Sequence, residues 1–331
     1  MNTIRTSVLS AVLAVSCAAG TNTLAAEGEF KLPELPAKLD KSQAGYYRVK
    51  IGDVNVTALS DGTLLLDPSF LHGDRKKIDS LLTKNFVKPP IDGSVNAFLI
   101  EAGSRLILVD AGTGTLFGPA ANKLPASLRA AGYQPEQITD VLITHIHTDH
   151  SGGLLVGGKM TYPNAVVHVE KRELDYWLDK QQMAKARTEQ KRFFTEAEET
   201  MRPFVSANKI RTFSGATELF PGIRSIPAYG HTPGHTFYSL ESKGEKIVFW
   251  GDLIHAAQVQ FESPLVTILF DADPAAAAAA RTKAFADAAA NSYYVAPAHM
   301  SFPGIGRLRK EGAVYRWYPV LYINDAHTGS R

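Results

Sequence analysis

Three histidines and an aspartate fall within six consecutive positions of this chain, at His145, His147, Asp149 and His150. The run 138–143 before them predicts a short buried strand, so we expect the histidines to lie where that strand ends and a loop begins. In an extended chain, residues two apart point to the same side, which lets His145 and His147 reach one metal ion. Asp149 and His150 can then serve a second ion nearby.

The same cluster could be a chance grouping in a loop, or the ligand set of a single structural zinc ion. Structural zinc sites have four ligands and favour cysteine. The only cysteine is Cys17, close to the N-terminus, and further histidines and aspartates follow the cluster. Gly152 and Gly153 directly after it permit a tight turn beneath the ligands. We therefore interpret the cluster as part of a catalytic metal site.

Three later segments repeat the pattern of a predicted strand that is followed by histidine or aspartate. They carry His231 with His235, then Asp252, and finally His299. Asp110 also follows a predicted strand directly, and a carboxylate there can orient a ligand histidine through its second ring nitrogen. On spacing alone, Asp110 is equally suited to capping a turn.

The elements that must position these residues alternate between strands and helices, which is typical of a layered α/β fold. A hairpin is predicted from strands at 46–51 and 54–59 with a turn at Gly52-Asp53. The segment 67–92 predicts a loop with a short helix at 77–82. Further helices are predicted at 124–131, 172–180, 193–201 and 275–290, the last one from its alanine run.

The ends and the overall composition narrow the cellular context. Residues 1–26 have the features of a secretory signal peptide, with Arg5 before an apolar stretch and small residues before Glu27. Residues 27–43 predict an extended arm. No later stretch is long and apolar enough for a transmembrane helix, so we expect a soluble periplasmic or secreted protein that does not bind membranes. The formal net charge of +2 without a Lys/Arg block gives no indication of nucleic-acid binding.

The pattern His145-X-His147-X-Asp149-His150, followed by His231, Asp252 and His299, resembles the metallo-β-lactamase superfamily. The resemblance implies a single domain over 44–331 with a four-layer αβ/βα sandwich. It also implies that His145, His147 and His231 hold one metal, that Asp149, His150 and His299 hold a second, and that Asp252 bridges the two. His235 matches a structural histidine that supports the ligands, and two copies could form a homodimer.

Within the superfamily, segments such as 58–63, 131–137 and 299–306 are similar to methyl parathion hydrolases and related lactonases. Thr148 replaces a proline of those relatives. His255 stands where they have an aliphatic residue. The resemblance assigns Phe117, Trp177, Phe194 and Phe270 to the substrate pocket, and His255 could change the polarity of that pocket. His72, His168 and His327 lack motif support, so we interpret them as surface or packing residues.

The resemblance predicts a dinuclear hydrolase of small apolar lactones, aryl esters or organophosphate triesters, in which a metal-bridging hydroxide is the nucleophile. Asp149 would combine ligation with general-base duty, and Asp252 would be essential as the bridge. All seven ligands offer nitrogen or oxygen, which suits two Zn²⁺ ions and tolerates Co²⁺, Mn²⁺ or Fe²⁺.

Alternatives within this fold remain open at this stage. A sulfur dioxygenase would use the first histidines to bind one iron, and a non-catalytic binding protein would use the scaffold alone. A β-lactamase-like hydrolase is disfavoured, because two classes need a cysteine ligand and the third lacks an aspartate at the position of Asp252. A glyoxalase II would need a C-terminal domain for which too few residues follow His299.

Overall fold

The structure is a computed structural model, and it describes residues 43–323. The predicted signal peptide, the predicted arm up to residue 42 and His327 lie outside the described residues. Within them, no helix is long and apolar enough to cross a lipid bilayer.

The first half of the described chain builds one seven-stranded sheet in the order β1-β2-β4-β5-β6-β9-β10. The predicted hairpin is present, with Tyr46 opposite Leu59 and Ile51 opposite Val54. Parallel pairing begins where β5 meets β6 and continues through β9 to β10. The strands of this half are β1 Tyr46–Ile51, β2 Val54–Leu66, β3 Leu71–His72, β4 Ile91–Ala102, β5 Arg105–Val109, β6 Asp140–Leu142, β7 Leu155–Val156, β8 Lys159–Met160, β9 Val166–Glu170 and β10 Ile210–Phe213.

The second half builds another seven-stranded sheet, in the order β11-β12-β13-β14-β16-β17-β18. Short β15 pairs instead with β3 and so joins the two halves beside the sheets. The strands of this half are β11 Glu218–Phe220, β12 Ile223–Pro227, β13 Thr236–Ser242, β14 Glu245–Gly251, β15 Thr267–Ile268, β16 Tyr294–Pro297, β17 Gly306–Glu311 and β18 Val314–Pro319.

Helices cover the outer faces of both sheets. The longest is α6, and the alanine-rich α8 begins with Pro274 in its first turn after the cap Asp273, whose side chain accepts from the amide of Ala276. The helices are α1 Arg75–Lys84, α2 Leu124–Ala130, α3 Thr148–Ser151, α4 Lys171–Trp177, α5 Lys180–Lys185, α6 Thr188–Ser206, α7 Ala257–Gln260 and α8 Pro274–Asn291.

Three apolar clusters show how these layers pack. Residues of both sheets, such as Ile100 and Phe249, form the central cluster, so the sheets lie face to face. Leu128 of α2 and Phe204 of α6 pack on the outer face of the first sheet. Phe285 of α8 packs with Trp250 on the outer face of the second. The predicted four-layer αβ/βα sandwich is therefore confirmed.

Two local predictions were wrong. The predicted helix 172–180 is two helices, because α4 ends at Trp177 and the side chain of Asp179 caps the start of α5. The chain after His147 is a short helix, α3, where we expected a loop. This helix places Asp149 and His150 on adjacent positions of a single turn, which changes how the two side chains can meet a metal.

Candidate metal centre and substrate pocket

Each candidate ligand lies in a segment that follows the end of a core strand. His145 and His147 come after β6, and α3 starts directly behind them. Asp252 follows the last residue of β14, and His299 follows β16 by two positions. His231 lies in the turn that joins β12 to β13. The sheets therefore bring ligands from both halves of the chain to one edge of the sandwich.

The seven predicted ligands form two groups that share one carboxylate. The ligand atoms within each group lie within 4.8 Å of one another, and the groups are His145, His147, His231 and Asp252, then Asp149, His150, Asp252 and His299. All of these side chains are buried or nearly so.

Asp252 presents a different oxygen to each group. Its Oδ2 atom lies 3.6 Å from Nε2 of His145 and 3.3 Å from Nε2 of His231. Its Oδ1 atom lies 2.9 Å from Nε2 of His150 and 3.0 Å from Nε2 of His299. This is the arrangement that a carboxylate needs in order to bridge two cations.

The outer nitrogens of three ligand histidines are already engaged. Nδ1 of His231 lies 2.8 Å from Asp271, Nδ1 of His150 lies 2.8 Å from Asp110, and Nδ1 of His299 lies 2.8 Å from the carbonyl oxygen of Ser94. Such contacts determine which ring nitrogen carries the proton and leave Nε2 free to bind a metal. Asp110 thus occupies the orienting position that its place after a strand suggested.

The inner atoms do not satisfy one another. Nε2 of His145, Nε2 of His150 and Oδ1 of Asp252 are buried and have no hydrogen-bond partner among the described residues. Buried polar atoms without partners are rare and need an explanation. They lie close together and yet are not aligned as donors and acceptors, as expected of atoms that point at a common cation. The residues present therefore fit divalent metal ions.

His235 does not belong to either group, and its contacts explain why. Its Nδ1 atom lies 3.1 Å from the carbonyl oxygen of Ala228, while its Nε2 atom accepts from the backbone amide of Asp252 at 3.1 Å. Burial lowers the pKa of His235 to about 3, so the ring is neutral. Gly251 has a φ of +50°, and a Cβ atom there would lie 2.7 Å from the hydroxyl of Thr144. His235 and Gly251 thus fix the backbone that presents Asp252.

In the metal-free site, His231 and His299 are protonated while Asp252 is ionised. Burial opposes protonation of His231 and His299, but nearby carboxylates outweigh it and raise the pKa of His231 to about 9 and that of His299 to about 10. Burial likewise opposes ionisation of Asp252, but His150 and the other surrounding histidines outweigh it and hold the pKa of Asp252 well below its usual range. Protons thus reside where dications would bind.

A cavity of about 240 Å³ opens onto both ligand groups. Its floor includes His147, Asp149, Asp252 and His299. Most of its wall is apolar, from Leu64, Leu66, Phe70, Phe117, Phe193 and Phe270. Apolar walls around a few polar groups are typical of sites for small molecules. Phe117, Phe270 and His255 line this cavity, as their assignment to the pocket required.

Trp177 and Phe194 do not line the cavity, which corrects their assignment. Both are 2% exposed and their rings pack 4.7 Å apart in the core behind His147. The indole nitrogen of Trp177 donates to Glu173. Successive helix residues point about 100° apart, so on α6 Phe193 faces the cavity while Phe194 faces inward.

His255 lies at the junction between the cavity and the ligands. Its Nε2 atom is 3.0 Å from Oδ2 of Asp252. Its backbone amide donates to Gln260, which holds the turn before α7. A histidine here therefore adds a polar group to a mostly apolar wall and contacts the shared carboxylate directly.

Several residues of the site escaped the sequence analysis. Asp271, which contacts Nδ1 of His231, lies shortly after strand β15. The pattern of a strand followed by an acidic residue could therefore have indicated it from the sequence. Arg192 and Phe193 on α6 line the cavity, as does Phe70, and no local motif marks them. His168 contacts Asp140 at 2.9 Å and His72 is exposed, so neither belongs to the site.

Comparison with known proteins agrees with the fold and with the two groups of candidate metal ligands. A sequence profile described as the Metallo-beta-lactamase superfamily matches residues 90–299. The solved structure of the hydrolase AbOPH in the beta lactamase superfamily aligns with a TM-score of 0.82 and 36% identity, covering 86% of this chain and all of AbOPH (100%).

Two lactonases are also similar. AidC, a dizinc quorum-quenching lactonase solved with the product N-hexanoyl-L-homoserine, aligns with a TM-score of 0.79 and 27% identity, over 85% of this chain and 99% of AidC. The N-acyl homoserine lactonase of a Bacillus species is 23% identical over 231 residues, which span 63% of this chain and 82% of that enzyme.

Proposed function

Because the chain belongs to the metallo-β-lactamase superfamily and is a metal-dependent hydrolase, we propose that it is a dinuclear zinc lactonase that opens small lactones bearing an apolar substituent. The observation that carries the proposal is the shared carboxylate of Asp252, whose two oxygens face two separate groups of ligands. A complete second group supports the dinuclear enzyme over the mononuclear iron dioxygenase alternative.

His145, His147 and His231 would hold one metal, and Asp149, His150 and His299 the other. Divalent metals at such a site lower the pKa of bound water and polarise an ester carbonyl oxygen. The protein's part is to hold the ligands rigidly, through Asp110, Asp271 and the carbonyl of Ser94, and to keep the Asp252 carboxylate ionised.

Asp149 is the residue best placed to move a proton. Its side chain is 16% exposed and lines the cavity, with Oδ2 3.3 Å from Nε2 of His299. Burial opposes ionisation, but His150 and His299 hold its pKa well below the usual range, so it is a carboxylate at neutral pH. It can accept a proton from the attacking water on one oxygen and return it to the alkoxide oxygen that leaves as the ring opens.

The cavity supports a lactone with an apolar substituent. Phe117, Phe193 and Phe270 offer aromatic surface directly above the ligands. The similarity of this chain to two lactonases also supports a lactone substrate over aryl esters and phosphotriesters, which are hydrolysed by the same chemistry. N-acyl homoserine lactones, with a small ring and an apolar tail, are the specific substrates we propose.

The decisive experiment compares substrates on one metal-loaded preparation. Metal analysis should approach two ions per chain, and removal of metal by a chelator should abolish hydrolysis and lower the melting temperature, because metal stabilises the folded state. Initial rates are then measured for N-acyl homoserine lactones, an aryl lactone, an aryl ester and a phosphotriester. We expect the highest kcat/KM for a lactone. Full activity at one ion per chain, or oxygen uptake with a thiol substrate and one iron, would contradict the proposal.

A further inference from the structure

Glu173 is the most deeply enclosed carboxylate in the described part of the chain, with 0% of its surface exposed. It lies on α4, between Arg172 and Leu174. Among the described residues it forms no ion pair with lysine, arginine or histidine. A buried carboxylate without a cationic partner is costly unless hydrogen bonds compensate for its lost hydration.

Three N–H groups provide part of that compensation. Oε1 accepts from the backbone amide of Ile146 at 2.9 Å and from the indole of Trp177 at 2.6 Å. Oε2 accepts from the backbone amide of Gly234 at 2.7 Å. All three partners are donors, so each of them fits an ionised carboxylate and none requires a proton on it.

Two of these donors belong to the loops that carry the first group of ligands. Ile146 lies between His145 and His147, in the first half of the chain. Gly234 lies in the turn that carries His231, in the second half. A Cβ atom on Gly234 would lie 2.5 Å from the backbone nitrogen of Glu173, so the turn sits directly on α4.

We propose that Glu173 is a positioning residue for the first metal group, in that it ties the loop of His145 and His147 to the turn of His231. One carboxylate accepts a hydrogen bond from each of the two loops, which restrains their separation. That separation sets the distance between Nδ1 of His147 and Nε2 of His231, which is 3.1 Å. The proposal rests on the proposed metal site, and it deepens that proposal by assigning a buried residue to metal affinity.

The test is Glu173→Gln, which preserves size and shape but turns one acceptor oxygen into an amide donor that faces an N–H group. Residues that hydrogen-bond to metal ligands change metal affinity by about 10–100-fold when mutated, and we expect a loss of that size because Glu173 holds the backbone of both ligand loops. Affinity is measured by competition between the protein and a chelator for Zn²⁺. The visible spectrum of Co²⁺-loaded protein, which reports ligand geometry, should change in the same variant.

Asp140→Asn is the matched control. Asp140 is also a buried carboxylate, but its partners are Thr139, Arg105 and His168, all outside the ligand loops. We expect it to lower the melting temperature of the metal-free protein and to leave Zn²⁺ affinity within about threefold of the parent, since it contacts no ligand loop.

Each outcome separates one conclusion from another. If Glu173→Gln keeps the parent's Zn²⁺ affinity and Co²⁺ spectrum, Glu173 is only structural and the proposal is overturned. If Glu173→Gln fails to fold, Glu173→Asp replaces it; its shorter carboxylate cannot reach both loops, so unchanged affinity there overturns the proposal as well. If the parent itself binds no metal, the proposed function fails instead.

Discussion

Nδ1 of His231 lies 2.8 Å from Oδ1 of Asp271, although the two residues are forty positions apart in the sequence. The other oxygen of Asp271 accepts a hydrogen bond from the backbone amide of Ile268 at 3.0 Å. This second hydrogen bond holds the carboxylate in the orientation in which it contacts the imidazole. The pair orients His231 with Nε2 toward the shared carboxylate of Asp252. A hydrogen bond of this kind raises the basicity of a ligand histidine as well as orienting it.

Asp271→Asn should therefore weaken metal binding. We expect a loss of about 10–100-fold in affinity, with a parallel fall in hydrolysis at limiting metal, because the amide is a weaker and wrongly directed acceptor. Asp273→Asn is the control, since Asp273 caps α8 two residues later and asparagine caps helices equally well. Equal metal affinity in the two variants would contradict the role assigned to Asp271.

Phe193→Ala should change substrate preference and leave metal content unaltered. Apolar pocket contacts discriminate between substrates by about 1–3 kcal/mol each, so the ranking of lactones by tail size should shift. Asp252→Ala should instead reduce metal occupancy and depress the hydrolysis of every substrate together. The measurement is kcat/KM on a lactone series alongside metal analysis.

Phe194 provides the comparison for Phe193. Phe194→Leu should lower the melting temperature through looser packing, because its ring is in the core, and should preserve the substrate ranking. A ranking shifted by Phe194→Leu and untouched by Phe193→Ala would reverse the assignment of the pocket wall.

Metal loading should release protons, and it should weaken as the pH falls. The raised pKa values of about 9 for His231 and about 10 for His299 mean that both rings are protonated in the metal-free protein near neutral pH. Metal ligands must lose those protons, so affinity should rise with pH until it passes these pKa values. Calorimetry in two buffers of different ionisation enthalpy measures the release directly, and identical heats in both would contradict the prediction.

The same raised pKa values predict that the stability of the metal-free protein falls as the pH rises, whereas metal affinity increases. A histidine whose pKa is raised on folding stabilises the protein fully below its unfolded pKa of about 6.5, and that stabilisation is lost as the pH rises through the folded value. The metal-free protein should therefore lose stability steadily from about pH 6.5 upward until the pH reaches about 9 to 10, whereas the metal-loaded protein should not.

We also predict export. A chain expressed with residues 1–26 should be recovered from the periplasm with Glu27, or a residue next to it, at its N-terminus. Mass spectrometry of the fractionated protein tests this. Retention of Met1, or a lipid attached to Cys17, would contradict the signal-peptide interpretation.

Local patterns in the sequence predicted the layered fold and marked the candidate ligand positions, whereas the division of those ligands between two metals came from the resemblance to the metallo-β-lactamase superfamily. Each ligand segment begins within a few residues of the end of an apolar strand, and these strand ends meet at one edge of the sandwich. Strand ends are where the period of the apolar pattern stops, which is visible without a structure. The break between α4 and α5 was missed because Asp179 caps a helix inside a stretch whose composition is helical throughout.

The residues that the sequence did not indicate act across long distances. Glu173 lies among Lys171, Arg172 and Asp175 and therefore resembles one more charged residue on a helix surface. Its burial arises only when the turn at Gly234 packs on α4. The choice between Phe193 and Phe194 depends on the rotation of α6, which two adjacent phenylalanines leave ambiguous.

The chain passes from the first sheet to the second through one connection, residues 214–217, between β10 and β11. A break there would leave four candidate ligands on one fragment and three on the other. The two pieces would still share the apolar interface between the sheets, but neither would carry a complete metal site. Metal binding would then act as a reversible cross-link between fragments. The enzyme could be reconstituted from two separately made halves, with the metal concentration controlling their association.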